Sequence, residues 1–356
     1  MRSGGYFDLH FALKSTRFRA YEQKIYTGKM GIQEVKDNIG FKWLRWFIIA
    51  LILLALPFVL EKGISQYYLY LAIKVMVWAL FAVSFNLVLG YGGMMSFGHA
   101  AFFGVAAYTC SLLLVKTSCP LILAFAAALF AAAAAGVIIG FFSVRIKGVF
   151  FFATITLSFA QLAFILAFKW RSFTFGDDGI QGIPVPNLIS TDETFINYYF
   201  LALIVILICI YVLWKIVKSP FGLMLRSLRE NPERAVFFGM KVENYRLIAF
   251  VISAFFSGIA GILFAFLETS ISPDILFWTM SGEVILMSLL GGMHIFLGPA
   301  IGAAIMVLLN TFITSYTEYW PFFLGTTLIL IVLFFPGGVG GLIHERYTLW
   351  RKSRER

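Results

Sequence analysis

Long stretches without a single charge limit what this chain can fold into. None of the 24 residues between Pro120 and Arg145 is charged, and the same holds for 196–214 and 247–267. A helix needs about 20 apolar residues to cross a bilayer's hydrocarbon core. With no water there to satisfy the backbone, each such run has to be helical. A composition of 60% hydrophobic and only 13% charged residues excludes a soluble domain. The fold class is therefore all-α: a polytopic integral membrane protein with about ten transmembrane helices, some broken at glycine-rich points.

The spans are expected at 47–60, 67–89, 97–115, 119–144, 148–168, 198–217, 247–267, 277–291, 299–317 and 321–342, the first and eighth being short. They divide the chain into a basic N-terminal segment (1–46), a transmembrane domain (47–342) and a basic tail (343–356). Residues 1–46 carry nine Lys/Arg, and the tail after residue 342 carries five. Positive charge marks the cytoplasmic side of membrane proteins. An even number of spans places both termini there, together with Arg145, Lys147 and the central loop, and leaves Glu61, the 169–197 loop, Asp274 and Glu318 outside. A nine-span alternative would strand the tail on the wrong side. The net charge of +10 thus reports orientation, not nucleic-acid binding. The N-terminal segment lacks the apolar centre of a signal peptide. Cys110, Cys119 and Cys209 follow no ligand or disulfide spacing and read as small apolar residues.

Small residues show where helices approach closely in lipid, since association there relies on van der Waals contact. Ala124, Ala128, Ala132, Gly136 and Gly140 form one row at i+4 spacing, and Ser253, Ser257, Gly261 and Ala265 form another. Two glycine clusters read as broken helices. Gly90, Gly92, Gly93 and Gly98 lie in the first, and Gly291, Gly292 and Gly298 in the second. Their shared outline (Gly-Gly-Met, a Phe, then Gly-His-Ala or Gly-Pro-Ala) suggests an internal repeat with irregular backbone along a cavity. Two glycine-rich turns would leave the same trace. Asn86, Ser96 and His99 flank the first break, while Thr154, Ser158 and Gln161 share one face of the fifth span. These six are the candidate substrate-pathway residues, and interhelical hydrogen bonding would select the same types.

The central loop, 218–246, carries six Lys/Arg and three Glu. Phe221, Met224, Leu225 and Leu228 make an apolar stripe at helical spacing, and Arg226, Arg229, Glu230 and Glu233 share another face. Asn231 followed by Pro232 has the form of a cap and first residue of a second short helix that Gly239 ends. Such a helix can dock in a partner's groove by its apolar side while its charges fix register. An ordinary interfacial connecting helix has the same pattern.

Glu233-Arg-Ala235-Val-Phe-Phe-Gly239 resembles the E-A-A-x-x-x-G loop of ABC-importer permeases, with Arg234 in place of the first Ala. The run Asn86-Leu-Val-Leu-Gly-Tyr-Gly-Gly-Met-Met-Ser-Phe-Gly-His-Ala-Ala-Phe-Phe-Gly104 resembles the opening block of branched-chain amino-acid permeases of the LivM type. So do Gly148–Gln161, Gly176-Asp-Asp-Gly-Ile-Gln-Gly-Ile-Pro184 and Met287-Ser-Leu-Leu-Gly-Gly-Met293 with Gly298-Pro-Ala-Ile-Gly-Ala303. One departure is Thr174-Phe175-Gly176, where the family usually has T-G-G. The likeness covers about 70–342, in order.

That resemblance implies a permease subunit of an ATP-driven importer in a prokaryotic plasma (inner) membrane. It implies a second related permease chain, two cytoplasmic ABC ATPase subunits and an extracytoplasmic substrate-binding protein, with branched-chain amino acids as cargo. Relatives that move urea or short amides give an alternative substrate class. ATP and Mg belong to the partner subunits on this reading, so no cofactor and no metal are expected in this chain, which contains no G-x-x-x-x-G-K-[ST] loop. Arg226, Arg229, Glu230, Glu233, Ala235 and Gly239 become the ATPase-coupling residues. An ion-coupled transporter would need interior charges. Lys74 is expected to snorkel outward near Tyr67 and Tyr68, and Glu268 and Glu283 to lie at span ends.

Overall fold

The computed structural model describes residues 66–117, 119–146, 148–184 and 196–316, with a few positions between 319 and 341. The segment 1–46, the span expected at 47–60, the tail at 343–356, Glu61, Lys147 and Glu318 lie outside the described residues, as does most of the span expected at 321–342.

The described helices are α1 (Gln66–Asn86), α2 (His99–Thr117), α3 (Leu121–Val144), α4 (Val149–Lys169) and α5 (Ile196–Lys218), then the short α6 (Pro220–Glu230) and α7 (Pro232–Phe237), and finally α8 (Val242–Glu268), α9 (Trp278–Gly291) and α10 (Gly298–Thr314). Among the described residues, α1, α2, α3, α4, α5 and α8 are long and apolar enough to cross a membrane. The spacing of charges anticipates these runs to within a few residues, because Lys74 in α1 is the one charge well inside them.

Helix α8 is the hub, packed against α1, α2 and α3. Both rows of small residues do what their spacing implies. Ala124, Ala128, Ala132, Gly136 and Gly140 are the buried edge of the otherwise lipid-soluble α3. A Cβ added to Gly136 would stand 2.7 Å from that of Ala254, so α3 and α8 touch almost backbone to backbone. The Ser253–Ser257–Gly261–Ala265 row turns the other way, with Ser253 and Ser257 against Ser84 of α1 and Gly261 against the backbone of Phe103 in α2.

Both glycine clusters interrupt helices, as expected. Helix α1 winds into a π-helical turn at Leu87–Tyr91, and 92–98 then runs without helix to α2. Helix α9 ends at Gly291, and 292–297 turns into α10. The hairpin α9–α10 closes at backbone contact: a side chain on Gly302 would collide with the carbonyl of Met287, and one on Gly291 with that of Gly298.

One element departs from the expected layout. Residues 277–291 read as a short span, yet the turn Pro273–Leu276 folds back from the end of α8 and rests on α2, where Leu276 fills the space beside Gly104. Helix α9 therefore starts inside the bundle, beside the first turn of α2, where Ala100 N–H donates to Ser281 Oγ at 2.8 Å. Its 14 residues suffice because it has only part of the thickness to cover.

Candidate functional site

Two regions collect the polar residues of an otherwise apolar bundle: a buried network at the start of α2, and the junction between the central loop and the two breaks.

The network centres on His99, which is 0% exposed and ringed by Phe85, Phe102 and Phe250 at 4.7, 5.3 and 5.4 Å. Hydrogen counting fixes its tautomer. Ser253 has one hydroxyl proton and donates it to the Ser84 carbonyl at 2.6 Å, so its oxygen accepts from His99 Nε2–H at 2.9 Å. Nδ1 is then the acceptor for Ser96 Oγ–H at 3.0 Å, and Ser96 Oγ also accepts from Gly98 N–H. His99 is a neutral, fully paired ring that ties the first break to α8 and α1. Thr156 of α4 closes the other side of the break by accepting from Phe97 N–H at 3.1 Å.

The six expected pathway residues do not form one cluster. Asn86, Ser96 and His99 are buried together around the first break. Thr154 and Ser158 are exposed on α4 and satisfy their hydroxyls on carbonyls one turn back. They point nearly opposite to Thr156, since two residues on a helix rotate the side chain by about 200°. Gln161 is half-buried, with Oε1 enclosed and making no hydrogen bond among the described residues. Ser253 is marked by its place in the small-residue row, but nothing in the sequence marks Thr156 or Ser281 as the buried partners, because α4 and α9 are apolar on most sides.

At the far end of α1, Lys74 does not snorkel. Its Nζ meets Glu268 Oε1 at 3.2 Å and Tyr70 Oη at 3.1 Å, while Tyr70 donates to the same carboxylate at 2.6 Å. The pairing neutralises a charge that would otherwise have to reach the surface. Glu283 also departs from expectation. It lies two residues beyond Ser281, half-buried within the bundle, because α9 begins there instead of at a span end.

The central loop folds as its caps dictate. Asn231 Oδ1 accepts from Arg234 N–H at 3.0 Å, Pro232 opens α7, and Gly239 follows its end with φ +76°. Leu225, Leu228 and Ala235 are buried, and Phe221 stacks on Tyr245 of α8. Met224, however, is exposed, and it joins Leu223, Val236, Phe237 and Phe238 in an outward apolar tip where Phe237 is 91% and Phe238 85% exposed.

The expected charged face is split. Glu230 and Glu233 point outward. Arg226 lies over the ring of Tyr91 at 5.0 Å, and Arg229 donates to the carbonyl of Gly90 at 2.5 Å and approaches His294 Nδ1 at 3.3 Å. The physical cause is that α1 and α9 both end here, and the negative ends of two helices draw in the nearest cations. The breaks also meet each other: the space a Gly90 side chain would need is taken by the Met293 carbonyl and by Asn86. Gly338 and Gly340 pack onto Gly292 and Gly291, a third glycine cluster at this junction that sequence reading passes over.

Among the described residues no group of three or more His, Cys, Asp or Glu could hold a metal ion.

Comparison with known proteins supplies the remaining finding. Residues 67–332 match the family model described as branched-chain amino acid transport system / permease component. The chain is 28% identical over 321 residues to the high-affinity branched-chain amino acid transport system permease protein LivM of Escherichia coli K12, an alignment covering 83% of this chain and 74% of that protein. The LivM protein of Salmonella typhimurium LT2 is 27% identical over the same shares. A shorter stretch, 29% of this chain and 31% of the relative, is 34% identical to the nucleoside ABC transporter permease protein NupC of Lactococcus lactis. No solved structure matches the chain.

Proposed function

Because this chain belongs to the family of branched-chain amino acid transport system permease components, we propose that it imports leucine, isoleucine and valine as one permease subunit of an ATP-driven complex. Separate ATPase chains hydrolyse ATP with its Mg, an extracytoplasmic binding protein delivers the amino acid, and a second related permease chain completes the membrane core. The loop 218–246 faces the cytoplasm, as its basic bias favours.

The observation that carries this reading is the tip of the loop. Phe237 and Phe238 are almost wholly exposed beside Val236, on a capped helix flanked by outward Glu230 and Glu233. A cluster of bare aromatics within a charged rim fits a groove on a soluble partner, with burial of the rings holding the contact and the charges fixing its register. The departure of Arg234 from the usual Ala costs the contact little, because Arg234 is exposed while the buried position of the motif, Ala235, is kept.

Thr154 and Ser158 face away from the bundle on α4, with Gln161 half-buried at the edge of the same face, and we assign this polar face to the contact with the second permease chain, where the substrate path runs. Hydroxyls and an amide there can bind a zwitterion without buried charge.

The test is purification of the complex from its native membrane, followed by reconstitution. The wild-type chain should bring nucleotide-hydrolysing subunits with it, and replacing both Phe237 and Phe238 by Ala should lose them without altering membrane insertion. Uptake should need ATP and favour leucine over urea. Uptake driven by an ion gradient alone, or of urea and not leucine, overturns the reading.

A further inference from the structure

Arg229 does something that a docking residue does not. It sits on α6, part of the loop proposed to receive the ATPase, yet its guanidinium is turned into the membrane domain. There it reaches two points far apart in sequence: the carbonyl of Gly90 in the first break, and His294 in the second. The two breaks are themselves in contact through Gly90 and Met293. The stem of Arg229 occupies the space beside Gly93, where an added Cβ would stand 2.8 Å from Arg229 Cγ, and Gly93 has φ +67°. This position thus excludes a side chain twice, by backbone conformation and by the arginine passing it.

We infer that Arg229 is a latch: it holds the two glycine breaks together at the loop end of the bundle, and movement of α6 by the ATPase withdraws it and lets them part. The inference rests on the coupling role proposed above and goes beyond it, since it assigns the gate and the residue that works it.

The chemistry suits a reversible hold. The break's own N–H groups take the carbonyls of Leu87, Val88 and Leu89, and the Gly90 carbonyl beyond them accepts from Arg229. Arg229 Nη1 donates to the Gly90 carbonyl and lies against His294 Nδ1, so one planar, always-charged group spans both breaks. Arg226 over Tyr91 steadies the same segment from one turn earlier on α6. Because α6 follows α5 through a tight turn at Ser219–Pro220 and is tied to α8 through Phe221 and Tyr245, a shift of its tip rotates the helix instead of merely bending a loop. Parting the breaks frees Asn86, whose amide lies against Gly90.

The experiment uses the complex purified with its associated subunits. Wild-type, Arg229→Ala, Arg229→Lys and Gly93→Ala chains are placed in liposomes, and ATP hydrolysis and leucine uptake are read from the same vesicles. Arg229→Ala should keep its ATPase subunits and hydrolyse ATP, while uptake per ATP falls about tenfold to a hundredfold, the range set by one charge-assisted hydrogen bond. Arg229→Lys should recover part of the loss, and Gly93→Ala should reproduce it by displacing the arginine stem. A second measurement needs no transported substrate. With Cys110, Cys119 and Cys209 replaced by Ala, Met293→Cys is labelled by a hydrophilic maleimide in nanodiscs, with and without ATP. Labelling should depend on nucleotide in the presence of Arg229 and become constant in Arg229→Ala. Unchanged uptake per ATP together with nucleotide-dependent labelling in Arg229→Ala overturns the latch but leaves the coupling reading standing. A wild-type preparation without ATPase subunits overturns the coupling reading itself.

Discussion

Replacing His99 tests whether the polar network at the start of α2 holds the fold or contacts cargo. In His99→Ala two things are lost. The imidazole leaves a space between Phe85, Phe102 and Phe250 that those rings cannot close without moving α1 and α8, so the packing loss falls in the 2–5 kcal/mol range of large-to-small core changes. The two hydrogen bonds add about 0.6 kcal/mol each, with an upper limit near 1.7, as interhelical bonds in lipid do. The sum is about 3–6 kcal/mol. His99→Phe fills the space with a somewhat larger ring and loses both bonds. Ser253 can still donate to Ser84, and Ser96 can still accept from Gly98, so about 1–2 kcal/mol should go. Combining His99→Phe with Ser253→Ala should cost less than the two single changes together, by about 1 kcal/mol. The assay is unfolding of the chain in mixed micelles, followed by tryptophan fluorescence, with uptake measured in parallel. A His99→Phe chain as stable as wild type would refute the network, and one that is stable yet fails to transport would move His99 onto the substrate path.

Other changes probe other parts. Gly302→Ala and Gly291→Ala drive a methyl into the carbonyls of Met287 and Gly298, so each should lower the unfolding free energy by about 1–3 kcal/mol, whereas Gly282→Ala, with open space around it, should change it little. The Lys74–Glu268 pair is about one-third exposed, so Lys74→Met should cost under about 1 kcal/mol in the same assay, and the Lys74→Glu, Glu268→Lys double exchange should restore most of it. Phe175→Gly removes a non-glycine residue from φ +66°, where the family's usual glycine is relaxed, but it also removes the ring under Lys116 at 4.9 Å. Relief and loss are each about 1 kcal/mol, so thermal midpoints should stay within a few degrees.

How far the sequence reveals this architecture depends on whether a constraint is local. A bilayer requires long apolar runs, so the six long helices can be read from the spacing of charges even though α1 carries Lys74 within it. Close backbone contact requires glycine or alanine, so the rows on α3 and α8 and the hairpin at Gly291 are visible as spacing. The caps of α7 are legible for the same reason: Asn231, Pro232 and Gly239 act within a few residues of themselves. What fails is direction. Thr154, Thr156 and Ser158 are chemically alike on an apolar helix, and only the arrival of Phe97, some sixty residues away, selects Thr156 as the inward one. Lys74 finds its acid 194 positions later.

The loop shows the same limit more sharply. A charged face on a helix at a membrane surface reads as facing water or a partner, and for Glu230 and Glu233 that rule holds. It fails for Arg226 and Arg229 because the first break sets the Tyr91 ring and the Gly90 carbonyl beside them, a source of negative potential that does not appear as an acidic residue. A glycine break thus has two effects. It lets the backbone turn within the membrane, and it creates acceptors that recruit a cation from elsewhere in the chain. Sequence reading registers the first as a cluster of glycines and misses the second, since the recruited arginine lies 139 residues from Gly90 and 65 from His294. Wherever a permease carries two such breaks that meet, an arginine or lysine on the loop packed beneath them is the residue to seek.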